Sequence, residues 1–293
     1  PDGSRSCKTM CHSTPPGVPH LCLPSPPVSG RGGGARRPAV LVLRQVKYEE
    51  RAFRRNPAKA FFTFAFPLIL LVILNVIFGN IDLSVPGGIA SGATFYVPAI
   101  MTLTVVNSCY TGLAISFAIN RDEGVLKRIR GAPIPTWAFL LARVSHTTLV
   151  MLVLTVIVGA FGWVFYDIEL PTRTLPSVVL ALALGAFAFS ALGLAVTALI
   201  PNADAAPAVV NASILPLLFI SDVLLPPNAD TPAWVLGIGS LFPVKHLSEA
   251  LQAEFNPFGS GAAFEWDHLL VVALWGVAGV VIALRFSSWE PRS

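Results

Sequence analysis

An all-α membrane protein with six transmembrane helices is the fold class this sequence predicts, on three observations. Charge is scarce: of 293 residues only 12% are charged and 54% are hydrophobic, with a mean hydropathy of +0.69. A soluble domain carries about 25% charged residues. The apolar residues collect in six runs, at 60–79, 94–119, 136–165, 175–200, 206–225 and 268–284. A bilayer span needs roughly 20 mostly apolar residues, whereas a membrane β-barrel would alternate over ten-residue segments. The basic residues, finally, are one-sided.

That asymmetry sets the orientation. Eleven of the 20 basic residues precede the first run, and four more (Arg121, Lys127, Arg128 and Arg130) lie between the second and third. Arg143 follows early in the third run, and Arg285 and Arg292 come after the sixth. Arg173 and Lys245 fall on the opposite side. Lysine and arginine collect on the cytoplasmic face, so both termini are expected on the cytoplasmic side of a bacterial plasma membrane. The net charge of +4 reads as a topology signal, and nucleic-acid binding is a poor explanation of it.

Residues 1–38 are rich in proline, glycine and serine and have no apolar periodicity. They are expected to be a disordered cytoplasmic leader, ahead of a transmembrane domain at 39–289. Cys7, Cys11 and Cys22 could be drawn with His12 and His20 as a metal site, but the spacing fits no zinc pattern.

Residues 40–56 come next. Leu43, Val46, Ala52 and Phe53 fall near helical spacing, and Lys47, Glu50, Arg51, Arg54 and Arg55 occupy much of the remaining surface. The pattern predicts an amphipathic helix on the membrane surface, ended by Pro57. Two roles fit it: a contact element for a cytoplasmic partner, or an anchor on anionic lipid.

Within the runs, Asn75, Asn107, Thr111, Asn211 and Ser213 are polar at depth. Such residues commonly mediate helix packing; the alternative is a substrate path. Arg143 can snorkel to the cytoplasmic surface, and His146 is expected to be packed or hydrogen-bonded. No chain of buried acids runs through the sequence, which argues against an ion-coupled transporter.

On the outer side only residues 226–267 form a large element. Residues 243–255 read as a helix, with Lys245 and Glu249 spaced to pair. A shorter helix at 232–240 precedes it, and Asp222 is expected to face this outer layer. Trp234, Phe242, Phe255, Phe258, Phe264 and Trp266 suggest that the segment lies at the interface.

Several chemistries have no motif here. The sequence contains no Gly-x-x-x-x-Gly-Lys-Ser/Thr loop, no His-Glu-x-x-His helix and no Gly-x-Ser-x-Gly elbow. The five histidines are far apart in sequence and predict no metal cluster.

The densest charge lies at 121–133, between the second and third runs. It contains Arg121, Asp122, Glu123, Gly124, Leu126, Lys127, Arg128, Arg130 and Pro133. This stretch resembles the E-x-G-x-L-x-R-x-x-x-x-P element of permease subunits of type-2 ABC exporters, particularly the daunorubicin and drug-resistance branch. The surface segment with Arg51, Arg54 and Arg55 and the order of six spans carry the same resemblance, over about residues 40–285.

The resemblance implies a transmembrane subunit without an ATPase site of its own. ATP and Mg are then bound by a separate ATPase partner, and a second permease protomer, the same or related, completes the unit. It implies that Arg51, Arg54, Arg55, Glu123, Gly124, Leu126, Lys127, Arg128, Arg130 and Pro133 couple to that ATPase. The outer segment becomes short re-entrant helices closing the exit, and no cofactor or metal is expected on this chain. The expected cargo is an amphipathic drug-like molecule or a lipid. Alternatives are a polysaccharide or lipid-linked glycan exporter and, from another class, a secondary transporter or intramembrane enzyme.

Overall fold

Helix α1 (Pro38–Arg54) ends as expected just before Pro57, which opens α2 (Pro57–Phe78). Proline suits that first helical position because its missing N–H has no partner there in any helix. The computed structural model describes residues 38–79, 81–85, 88–125, 136–221, 223–224, 232–258 and 264–286. Residues 1–37 of the leader expected at 1–38, the coupling positions Leu126, Lys127, Arg128, Arg130 and Pro133, and Asp222 lie outside these residues, while Pro38 already belongs to α1.

After α2 the chain makes a small antiparallel hairpin that the all-α expectation missed. Its strands, β1 (Asp82–Val85) and β2 (Gly88–Ser91), pair from Asp82 with Ser91 to Val85 with Gly88. Ser91 then leads into α3 (Gly92–Val105), a π-helical segment (Val106–Gly112) and α4 (Leu113–Asp122). Together these form one apolar helix of 31 residues, Gly92–Asp122. A π segment holds one extra residue per turn and often marks a functional site; Asn107, Ser108 and Thr111 lie on this one.

Helix α5 (Thr136–Tyr166) and helix α6 (Leu175–Val196) follow. The expected end of the fourth span at residue 200 falls beyond the α-helix. Residues 197–200 tighten into i→i+3 bonds, among them Leu199 N–H to Val196 O at 2.9 Å, and Pro201 stops the turn. Asn202 Oδ1 accepts from Ala205 N–H at 2.9 Å, satisfying a donor that would otherwise be orphaned ahead of α7.

Helix α7 (Ala206–Ile220) has 15 residues, or about 22 Å of rise. It is shorter than the other five apolar helices, which are long enough to cross a membrane. Helices α8 (Ala233–Gly239) and α9 (Pro243–Glu254) occupy the expected outer segment, and α10 (Trp266–Phe286) is the last apolar helix.

The Gly92–Asp122 helix is central: 72% of its most apolar window is buried, against 22% for α2 and for α10. Tyr96, Ile100, Val105, Met151, Phe189 and Val272 join one core around it. Large apolar side chains elsewhere face outward, including Val76, Val156, Leu274 and Leu284, as a bilayer solvent requires.

Backbones approach closely at two glycines. A Cβ on Gly193 would lie 2.9 Å from Tyr110 O, and one on Gly279 would lie 2.9 Å from Leu192 N. These contacts seat α6 against the π segment and α10 against α6, the way small residues drive helix association in lipid. Helix α9 is also drawn into the bundle. Leu247 is fully buried and would meet a Cβ added at Gly185 of α6.

Candidate functional site: an inner cavity and its rim

Helix α1 lies along α5, and two acids of α1 face Arg143 and His146. Glu49 Oε2 sits 3.6 Å from Arg143 Nη2, and Glu50 Oε2 sits 3.4 Å from His146 Nε2. The ring of Phe53 meets His146 edge-on at 5.8 Å and Phe64 at 6.3 Å. The expected apolar face is therefore corrected. Leu43 is 67% exposed and Ala52 is exposed, whereas Glu49, Glu50 and Phe53 turn inward. Two acids can turn in because α5 offers Arg143 and His146 to meet them.

Arg143 does not reach outward along the helix, as snorkelling would require. Its side chain is 8% exposed and donates through Nη2 to Ser116 Oγ. Its Nη1 is buried with no hydrogen-bond partner among the described residues. His146 is packed, in keeping with its sequence reading.

Between α1, α5 and the Gly92–Asp122 helix lies a cavity of about 530 Å³. Its wall combines Phe53, Phe139 and Val150 with Asn107, Ser108, Ser116, Asn120 and Arg143. Glu123 and Val125 stand at its edge, beside Gln45, Tyr48 and Asn56. Arg51, Arg54 and Arg55 are exposed, and Arg54 holds Glu50 at 2.7 Å.

Arg121 needs a larger revision. In the sequence it opens the charged stretch and suggests a group presented to water. In the fold it is 1% exposed and is the largest fully buried side chain among the described residues. It donates to three carbonyls: Ile200 O at 2.8 Å, Thr197 O at 3.2 Å and Pro201 O at 3.2 Å. Asp122 beside it accepts from Ala203 N–H at 2.5 Å. The pair clamps the turn from α6 to α7, where the last carbonyls of a helix lack partners and carry partial negative charge.

Glu123 is exposed and is the C-terminal cap residue of α4. The residues that follow Val125 lie outside the described ones. Gly124 has φ +69°, a left-handed turn that a side chain would strain.

The polar residues read as a substrate path separate. Asn107 faces the inner cavity. Asn75 is buried and its Nδ2 bonds back to Leu71 O at 2.9 Å, a packing role. Thr111 lies on the π segment, and its buried hydroxyl has no partner among the described residues. Ser213 meets Tyr110 Oη at 2.7 Å beside a second, mostly apolar groove of about 530 Å³ lined by Phe189, Leu217 and Trp275. Asn211 is exposed.

At the opposite end of the bundle, His246 and His268 correct the expectation that no histidines meet. They are 22 residues apart, and their Nδ1 atoms approach to 2.8 Å.

The profile of the ABC-2 type transporter family matches residues 40–255, about three quarters of the chain. The chain belongs to the ABC-2 type transporter family. It is thus a multi-pass membrane permease of an ABC-type transporter. No curated protein matches the chain. The matched region begins within α1 and ends just past α9, so it takes in the inner cavity, its rim, α8 and α9. Counting back from Gly124, the acid that opens the family element stands at Asp122, which here holds the α6–α7 turn.

Proposed function

We propose that this ABC-2 permease is the membrane half of an ATP-driven exporter in a bacterial plasma membrane, with both termini cytoplasmic. A separate P-loop ATPase hydrolyses ATP with Mg, and two permease protomers, the same or related, form the path. The observation that carries this reading is the rim of the inner cavity. Helix α1 borders it through Glu49 and Phe53, the end of α4 borders it through Glu123, and Arg51, Arg54 and Arg55 face outward beside it. A push on α1 from a docked ATPase would reach α5 directly through Glu49–Arg143 and Glu50–His146.

The cargo is an amphipathic drug-like molecule or a lipid. Aromatic and aliphatic side chains support this reading, because they share the cavity with amides, Ser116 and the unpaired Nη1 of Arg143. Buried donors of this kind fix the polar end of a ligand while the apolar wall binds its body. Helices α8 and α9 close the exit on the outer side.

The test is reconstitution in vesicles with the ATPase that co-purifies. Glu123→Arg should leave the permease in the membrane and in complex, yet abolish transport-coupled stimulation of ATP hydrolysis. Normal stimulated export by that variant, or transport that needs no ATPase and collapses with the proton gradient, would defeat the proposal.

A further inference from the structure

We propose that His246, Glu249 and His268 form a binding site for a divalent transition ion of the zinc type, which rivets α9 to α10. Their ligand atoms all lie within 4.8 Å of one another. His246 and Glu249 stand three residues apart on α9, on one face of the helix. His268 reaches them from the first turn of α10.

The hydrogen bonds orient the donors. His246 Nε2 lies 2.7 Å from Ser240 O. A carbonyl can only accept, so Nε2 carries the proton and the neutral ring presents a bare lone pair at Nδ1. That lone pair faces His268 Nδ1 at 2.8 Å, and His268 Nδ1 is 3.4 Å from Glu249 Oε2. A backbone carbonyl on the far nitrogen is the usual device that sets the tautomer of a ligating histidine. The second carboxylate oxygen, Oε1, is 3.8 Å from Lys245 Nζ, which leaves Oε2 for the ion.

Two imidazoles and one carboxylate make a zinc-type donor set with a fourth position open to water. Bonds of 2.0–2.1 Å in a tetrahedron separate ligand atoms by ~3.3 Å. The two Nδ1 atoms therefore need to part by only ~0.5 Å. The side chains of His268 and Glu249 are 29% and 33% exposed, so the site opens to solvent. Trp275 Nε1–H donates to Leu241 O at 2.9 Å, and its ring stacks on Phe242. These contacts hold α10 against the start of α9 and pre-position both histidines.

The experiment uses the full chain in detergent, stripped with a chelator and titrated with zinc chloride. Bound zinc is counted by elemental analysis after desalting. The wild type should retain one more zinc per chain than the His246→Asn/His268→Asn double variant; comparing the two cancels any zinc held by the leader's cysteines. Glu249→Gln, which keeps both histidines, should weaken that zinc by at least about ten-fold. Equal zinc in wild type and double variant, or an unchanged affinity in Glu249→Gln, would show two histidines bonded only to each other and overturn the site.

Discussion

Replacing Arg121 by methionine isolates a charge that works inside the fold. The guanidinium donates three hydrogen bonds, to Thr197, Ile200 and Pro201. Bonds to a charged group contribute about 1.5–3 kcal/mol each, or about 4.5–9 kcal/mol together. Holding the guanidinium at 1% exposure offsets several kcal/mol of that. Methionine fills similar space but leaves three carbonyls without their donor, so a net loss of about 3–5 kcal/mol is expected. At roughly 2–4 °C per kcal/mol for a chain of this size, Tm should fall by about 6–20 °C. The assay is thermal unfolding of the purified protein in detergent, with Glu123→Arg as control, because Glu123 is exposed and should leave Tm unchanged. If Arg121→Met melts within about 2 °C of wild type, Arg121 is not a structural clamp and the reasoning fails.

Three further outcomes follow from packing and charge. Gly279→Ala places a methyl group 2.9 Å from Leu192 N and should cost about 1–3 kcal/mol; Gly276→Ala meets mainly the movable Phe187 ring and should melt higher, a ranking read by differential scanning. Glu49→Gln removes the counter-charge of Arg143 and should loosen α1, seen as faster proteolysis within residues 42–56 while α5 stays protected. Glu254 is 7% exposed, and burial raises its pKa from 4.5, against an opposing effect of hydrogen bonds from Ser177 and Thr174. A raised carboxyl binds its proton more tightly in the folded state. Its stability is thus complete below 4.5 and is lost as pH climbs through the raised value. Glu254→Gln should therefore melt higher than wild type at pH 7 and show a smaller difference at pH 4; an unchanged difference would count against the buried carboxyl.

Much of the fold was legible because hydropathy and proline act locally. Five of the six apolar runs became helices long enough to cross a membrane and the fifth run became the shorter α7, Pro57 marked the boundary between α1 and α2, and residues 243–255 became α9 within one residue. The inner face of α1 was misread because helical periodicity locates a stripe without naming its neighbour. Only α5, about 90 residues later, supplies the Arg143 and His146 that draw Glu49 and Glu50 inward, where both are half-buried. The hairpin escaped notice because its four-residue strands are too short for an alternating pattern to stand out. A histidine and a glutamate three residues apart on α9 were visible as a signal; the partner at His268 was not.

What the sequence determined alone is whatever depends on solvent preference: which segments enter lipid, where basic residues cluster, and which family the chain joins. What the tertiary structure decided is the use of each charge. Arg121 and Glu123 stand two residues apart in one charged stretch. The first is closed in by the turn after α6, and the second is left on the rim of the inner cavity. Burial depends on which distant backbone carbonyls arrive to replace water, and that is settled only when helices 76 or more residues apart meet.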